Sequence, residues 1–313
     1  MKALIIKTSS MGDVIHTLPA ISDAKSAIPN IEFDWVVEEN FAEISSWHSA
    51  VKRVIPVALR RWRQEKSLSA ITELKTFLKT LRIQKYDHII DAQGLIKSAL
   101  IALFAHGTKC GLDFKSARES IATIFYTRKF TVAKHQHAIT RLRQLFAQTL
   151  GYEVKTPINY GIKSFFPVSE EKQKFLIFIH GASRPDKCWD NNKWIELARL
   201  AQNQGFAIKL PWGNEIEKER AELIAANTPQ TQVLPKLKLY DLALIFLRSA
   251  GVVTIDTGLG HLAAALDVPT VSLYQNTDPL RIGTTSNHCV HVRNADHVTA
   301  ESLIPLISKN IKF

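Results

Sequence analysis

The chain has 313 residues, 46% of them hydrophobic and 22% charged, a composition ordinary for globular proteins and long enough for two domains. Its longest apolar runs are cut by Lys97, His106, Asp241 and Arg248 short of the roughly 18 residues of a membrane span, and the first strand begins at Lys2, leaving no room for a signal peptide; a cytosolic protein is expected. Three cysteines, Cys110, Cys188 and Cys289, an odd number without CxxC spacing, indicate neither a disulfide framework nor a zinc site, and the net charge of +11 sits mostly in residues 1–160, which hold 23 Lys and Arg against 14 Asp and Glu.

From the N-terminus, Leu4 to Ile6 reads as a strand feeding a helix from Val14 to Ser26 through Lys7-Thr8-Ser9-Ser10-Met11-Gly12-Asp13. This loop lacks both GxGxxG and GxxxxGK[ST], so neither a dinucleotide clamp nor a P-loop is supported. By itself Asp13 suits a helix cap or first-turn dipole partner. Strands follow at Phe33 to Val37, Val54 to Val57, His88 to Ile90 and near Phe130 to Val132, alternating with helices at Ser69 to Leu81, Ile96 to Phe104 and Ala138 to Leu150, whose apolar residues recur at three- and four-residue spacing. Arg60, Arg61 and Arg63 flank Trp62, and Arg118, Arg128, Lys129, Lys134, Arg141 and Arg143 follow, a surface for an acidic partner: nucleic acid, anionic membrane or phosphorylated substrate. His135 and His137 beside Lys134 read as a basic turn rather than a metal pair.

Gly151 to Lys174, with Pro157, Gly161 and Pro167, breaks the pattern and is the linker, giving domains at 1–160 and 161–313. Strands resume at Phe175 to Ile179, Ala207 to Leu210, Val233 to Leu234, Val252 to Ile255 and Thr270 to Tyr274, with helices starting near Asn191, Asn214, Leu239 and Leu259 and a closing helix, Thr299 to Ile311, free to pack on either domain. The expected fold is α/β: two doubly wound domains facing across a cleft, with ligands beyond the carboxyl ends of the strands. In the second domain, Val252 to Ile255 breaks through Asp256-Thr257-Gly258 into an Ala-rich helix, an anion seat of backbone amides. Ser183 and Lys187 in the loop from Gly181 to Trp189 suit a diphosphate, Glu217 and Asp256 suit sugar or ribose hydroxyls, and Leu237 with the backbone of Val233 to Pro235 suits a base. Trp189, Trp194, Trp212 and His261 also read as core.

KTSSMGDVIHTLPA at Lys7 to Ala20, FDWVVEE at Phe33 to Glu39, RVIPVALRRWR at Arg53 to Arg63, IDAQGLIKSA at Ile90 to Ala99, KLPWG at Lys209 to Gly213 and DTGLGHLAAALD at Asp256 to Asp267 resemble the heptosyltransferases of lipopolysaccharide assembly, glycosyltransferase family 9, over essentially the whole chain. The resemblance implies a GT-B fold and an inverting transfer of heptose from ADP-L-glycero-β-D-manno-heptose to the Kdo of Kdo-lipid A. An enzyme of Gram-negative bacteria on the cytoplasmic face of the anionic inner membrane is expected, as a monomer; the lack of a DxD-like pair beside the donor loops points to metal independence, and no motif supports a nucleic-acid partner. Asp13 matches the family's general base and Lys187 the lysine at the donor diphosphate; Ala182, Ser183, Glu217, Leu237, Asp256, Thr257, Gly258 and His261 fall at donor positions. Ser10, Gly12, Arg60, Arg61, Arg63, the Gln93-Gly94 step and Arg118 fall on the acceptor side. Ala182-Ser183 stands where two threonines are expected and Leu237 where a methionine is, the latter nearly volume-conserving. Transfer to a later acceptor of the same pathway and noncatalytic nucleotide-sugar binding are the competing expectations.

Overall fold

The computed structural model describes residues 1–65, 67–167, 172–182 and 184–311. It divides into two compact units, Met1–Phe165 and Phe166–Phe313, so the expected boundary at 160/161 falls inside unit 1.

Unit 1 runs β1 (Lys2–Ile6), α1 (Met11–Ala27), β2 (Glu32–Glu38), α2 (Ala42–Ser46), β3 (Val51–Val57), α3 (Leu59–Glu65), α4 (Leu68–Arg82), β4 (Lys85–Asp91), α5 (Ile96–Phe104), β5 (His106–Leu112), β6 (Arg128–Phe130) and α6 (Ala138–Leu150). Its six strands are parallel in the order β3-β2-β1-β4-β5-β6. Parallel strands require crossovers and helical cover on both faces, which explains why β1 and β2 are buried on both sides rather than alternating. Helices α4 and α5 pack through Phe77, Leu81, Ile101 and Ala102 onto Leu4, Ile6, Val36 and Ile89, while α6 lies against α1. The pairing of α6 with α1 is fixed by a buried bidentate contact, in which Arg143 donates to Asp23 at 2.6 and 3.0 Å. Gly151 ends α6 at φ +79°, a left-handed cap that costs a residue without Cβ little.

Unit 2 runs β7 (Phe175–Ile179), α7 (Asn191–Asn203), β8 (Ala207–Leu210), α8 (Glu215–Ala226), β9 (Thr231–Val233), α9 (Leu239–Arg248), β10 (Gly251–Ile255), α10 (Gly258–Ala265), β11 (Thr270–Tyr274), α11 (Pro279–Ile282), β12 (Cys289–Arg293) and α12 (Ala300–Asn310). The order is β12-β11-β10-β7-β8-β9, again all parallel. Counted from the first strand of each unit, both sheets run 3-2-1-4-5-6, the doubly wound order. The chain reverses direction between strands 1 and 4, and a crevice opens there at the carboxyl ends. That switch point is β1/β4 in unit 1 and β7/β10 in unit 2. The closing helix α12 packs on α7, β11 and β12 of its own unit, burying Leu303 and Ile307 with Trp189 and Trp194.

Three details differ from expectation. β5 (HGTKCGL) and β12 (CVHVR) are strands that the periodicity does not announce, because glycine or basic residues interrupt their apolar runs. β6 lies at Arg128–Phe130, ahead of its expected place. Arg143, counted among residues for an acidic partner, is 9% exposed and committed to Asp23, and Arg141 donates to the Ser116 carbonyl.

Candidate functional site

At the switch point of unit 1, the loop leaving β1 is drawn back onto the sheet by Lys7, whose side chain is 7% exposed. Its Nζ donates to the Ala92 carbonyl at 3.1 Å and lies 3.1 Å from Asp13 Oδ1. Asp13 stands in the first turn of α1, and its Oδ2 accepts from the Ser10 N–H and the Ser10 hydroxyl, each at 3.1 Å. The capping role and a chemical role are compatible: the carboxylate closes the helix start and still shows 34% of its side chain to solvent. Burial pushes its pKa up, but the Lys7 ammonium, the Ser10 N–H and His16 outweigh burial and hold it at about 2. Asp13 is therefore an anion at neutral pH.

The second loop of this crevice is built by Asp91 at the end of β4. Fully buried, Asp91 accepts from the N–H groups of Gln93 and Gly94, the Ser98 hydroxyl and the Tyr126 hydroxyl, and burial raises its pKa despite these donors. The turn it dictates needs φ +67° at Gly94. Gln93 Oε1 accepts from the N–H groups of Thr8 and Ser9, stitching the two loops together. Because the Glu119 N–H donates to the Gly94 carbonyl, exposed Arg118 stands beside the same turn. Ser10, Gly12, Asp13, Gln93, Gly94 and Arg118 are thus gathered at one rim, and Lys7 and Asp91, which the sequence reading passed over, shape it.

The three arginines sit on α3, after β3. Arg60 and Arg63 are exposed. Arg61 is engaged by its own fold: it donates to Glu39 (3.1 Å twice), Glu73 (2.8 and 3.2 Å) and Glu65 (3.5 Å), which raises its pKa through those hydrogen bonds. Buried Glu38 lies between α3 and the β1 loop: its N–H donates to the Thr8 carbonyl, and its carboxyl faces Arg60 and Lys97. Burial nevertheless raises the Glu38 pKa. A cavity of about 590 Å³ opens beneath α3 and α4, lined by Trp62 and Phe77 among others, and does not reach Asp13, Gly94 or Arg118.

At the switch point of unit 2, the 3-10 turn Pro185–Lys187 carries Lys187 to Asp256 at the end of β10, with Nζ to Oδ2 at 2.6 Å. Here the exposures are reversed: Lys187 shows 21% of its side chain and Asp256 7%. Asp256, expected to meet hydroxyls, instead spends one oxygen on the lysine. The loop is also held by Gln275, which donates to the Cys188 carbonyl at 2.9 Å, and by an Arg184–Asp186 pair. Thr257 is the N-cap of α10, so the first amides of that helix, from Gly258 on, point toward the end of β10. His261 is buried on the next turn.

Glu217, in the first turn of α8, accepts from the Gly213 N–H at 2.7 Å and presses against Gly181; a Cβ on Gly181 would come within 2.5 Å of its carboxyl carbon. Glu217 can lie in this position against Gly181 because residue 181 lacks a side chain. Trp212 donates to the Leu234 carbonyl at 2.6 Å, which brings the segment bearing half-buried Leu237 to the same side. Trp212 lies half-buried between Lys218 and Lys236, whereas Trp189 and Trp194 are core. Ala182 is half-buried against the core, and Ser183 lies outside the described residues. Among the described residues no cluster of His, Cys, Asp and Glu could hold a metal ion, and no helix is long and apolar enough to cross a membrane.

Two doubly wound units, each with a Lys–Asp pair at its switch point and one with an amide-lined helix start beside it, have the organisation of the GT-B class. The profile of "Glycosyltransferase family 9 (heptosyltransferase)" matches residues 74–305, and the chain belongs to that family. It is 49% identical over 288 residues to lipopolysaccharide heptosyltransferase 1 of Escherichia coli K12, covering 90% of each chain. Among solved structures it is similar to the E. coli heptosyltransferase WaaC with ADP (TM-score 0.95, 46% identity, 99% of this chain and 100% of the other). The same enzyme with ADP-2-deoxy-2-fluoro heptose matches with TM-score 0.92 and 45% identity, over 99% of this chain and 100% of the other.

Proposed function

We propose that this enzyme moves L-glycero-D-manno-heptose from ADP-heptose to a Kdo hydroxyl of Kdo-lipid A, with inversion, in assembly of the lipopolysaccharide inner core. It works as a monomer, peripheral to the cytoplasmic face of a Gram-negative inner membrane. The observation that carries the division of labour is the reversed exposure of the two Lys–Asp pairs. In unit 1 the lysine is buried and the carboxylate reaches out; in unit 2 the carboxylate is buried and the ammonium reaches out. The first presents a proton acceptor and the second a positive charge.

In this reading unit 1 takes the acceptor and unit 2 the donor. The hydroxyl oxygen bonds to the anomeric carbon, its proton passes to Asp13, and the bond from that carbon to the diphosphate oxygen breaks on the opposite face. The electron pair leaves with ADP. Lys187 and the amides of Thr257 and Gly258 take up the charge growing on the diphosphate, a contribution of about 10²–10³ in rate for preorganised donors of this kind. General-base assistance adds about 10²–10⁴. Glu217, His261 and Ala182 border the sugar and phosphates, Leu237 the adenine, and Arg60, Arg63 and Arg118 the acceptor's phosphate and carboxylate groups. In this reading Lys187 and the α10 amides take the place of a metal at the diphosphate.

Incubation with ADP-heptose and Kdo-lipid A tests the reading: ADP is released in step with a mass gain of one heptose. Gain only on an acceptor already carrying heptose would assign a later transfer, and donor binding without any product would leave a binding protein.

A further inference from the structure

Helix α5 is built inside out on one side. Its inner residues Ala99, Ile101 and Ala102 are buried, yet its outer face carries Ile96, Leu100, Leu103 and Phe104, each between 37% and 44% exposed, with Lys97 the only charge. The 3-10 turn Ser120–Phe125 packs beside it through Ala122 and Tyr126 and adds Ile121 and Ile124 at 61% and 66% exposed. A contiguous apolar strip of this kind marks a surface that something covers.

Its charge surroundings choose the occupant. Residues 96–130 contain six Lys or Arg and two Asp or Glu, and both acids are used within the fold: Asp113 accepts from Ser116 and Thr131, and Glu119 accepts from the Ile96 N–H. An apolar strip within a segment of net positive charge complements an anionic bilayer. A second copy of the chain would set the same basic edge against itself. The strip also begins at the candidate acceptor rim, since α5 starts directly after the Gly94 turn and Glu119 ties that turn to the start of α5.

We propose that α5 and the Ser120–Phe125 turn form a membrane-docking face that lies on anionic lipid, sinks its apolar side chains below the headgroups and holds the Gly94–Arg118 rim at headgroup level. The proposal rests on the transferase reading, because a lipid-anchored acceptor offers its sugar at that height and nowhere else.

The test is co-sedimentation of the full chain with phosphatidylcholine vesicles containing phosphatidylglycerol, against phosphatidylcholine alone. The wild type partitions to the anionic vesicles. Leu100→Gln/Leu103→Gln/Ile124→Gln lowers the partition coefficient at least about tenfold, and Lys115→Gln/Lys129→Gln lowers it about fivefold per charge, as added salt also does. Both variants keep wild-type affinity for ADP and wild-type turnover on a deacylated, water-soluble acceptor, which shows that they are folded. Wild-type protein that ignores anionic vesicles, or a triple variant that binds them as well as wild type, overturns the proposal. So does a concentration-dependent dimer that the triple variant abolishes, for then the face belongs to a second copy. Absence of wild-type turnover on the soluble acceptor, with vesicle binding and its loss in the variants intact, sinks the transferase reading and upholds the face.

Discussion

Replacing Lys7 by methionine isolates the electrostatics of the proposed base while keeping the length of the buried side chain. Asp13 is held at about 2 instead of 3.8 against a burial effect that alone would raise it. The groups facing it are Lys7 from the end of β1, the Ser10 N–H and His16 from its own helix. Without the ammonium, burial meets only the Ser10 hydrogen bonds and His16, so the carboxyl returns to the ordinary range or above it, an upward move of about two pH units or more. In wild type the acid limb of kcat/KM from this group lies below any pH at which transfer is measured, and between pH 4 and 8 Asp13 stays ionised. In Lys7→Met a limb enters that window, with rate falling as pH drops below about 5. Lys7→Arg restores the flat profile. The assay is ADP release across pH 4 to 8 at subsaturating donor. A flat Lys7→Met profile with intact turnover would mean that Lys7 merely packs the loop. The same pair gives a stability signature: a carboxyl depressed on folding stabilises the fold above its unfolded value, and that contribution fades as pH falls from about 4 toward 2. At 34% exposure solvent screening keeps it modest.

Asp13→Asn, which preserves hydrogen bonding to Ser10, cuts turnover by at least about two orders while ADP affinity stays within about twofold, as titration calorimetry with steady-state kinetics will show. Asp13→Ala is the poorer probe, since it also removes the acceptor of the two Ser10 hydrogen bonds and so loosens the start of α1. Arg143→Ala strands buried Asp23 and lowers unfolding free energy by about 3–5 kcal/mol in urea titrations; an effect under about 1 kcal/mol would contradict the α1–α6 contact described above. Gly181→Ala forces Glu217 aside and weakens donor binding, measurable as a raised donor KM with unchanged acceptor KM. Treatment with EDTA leaves turnover unchanged; full loss would place a metal at the diphosphate.

The sequence carries the alternation of strands and helices because parallel strands buried on both faces are apolar throughout, as in Phe175 to Ile179, and because each crossover helix keeps its own period. It carries the two strand-end loops for the same reason: a β-branched run that stops at Asp256-Thr257-Gly258 can only turn. What it conceals is pairing at a distance. Asp256 and Lys187 are 69 positions apart, and Arg143 and Asp23 are 120 apart, so nothing local distinguishes a buried ion pair from a free surface charge. Arg61 illustrates the cost: its neighbours in sequence are basic, yet Glu39 and Glu73 arrive from the end of β2 and from α4. Strands β5 and β12 escape notice because a Gly- or His-interrupted run becomes a strand only when a neighbour supplies the ladder.

The two lysines also give opposite kinetic signatures, and that contrast reaches furthest into the proposed mechanism. Lys7 is 7% exposed and bonded to backbone, so in the proposed mechanism it acts through Asp13 rather than on a substrate; its loss should alter the pH dependence and spare ADP binding. Lys187 presents its ammonium outward from a buried carboxylate, so its loss removes charge from the diphosphate both when the donor binds and when ADP departs. Lys187→Ala alone confounds two effects, because Asp256 at 7% exposure is left an unpaired anion where the diphosphate would lie. Lys187→Ala/Asp256→Asn separates them. If the repulsion of a stranded carboxylate is the main injury, the double variant recovers donor affinity; if the missing cation is, affinity recovers only in part and turnover stays about 10²–10³ below wild type, the range expected for a lost charge-stabilising donor. The second result is expected. Full recovery of turnover in the double variant would show that the ammonium serves only to neutralise Asp256 and that the amides of α10 hold the diphosphate unaided.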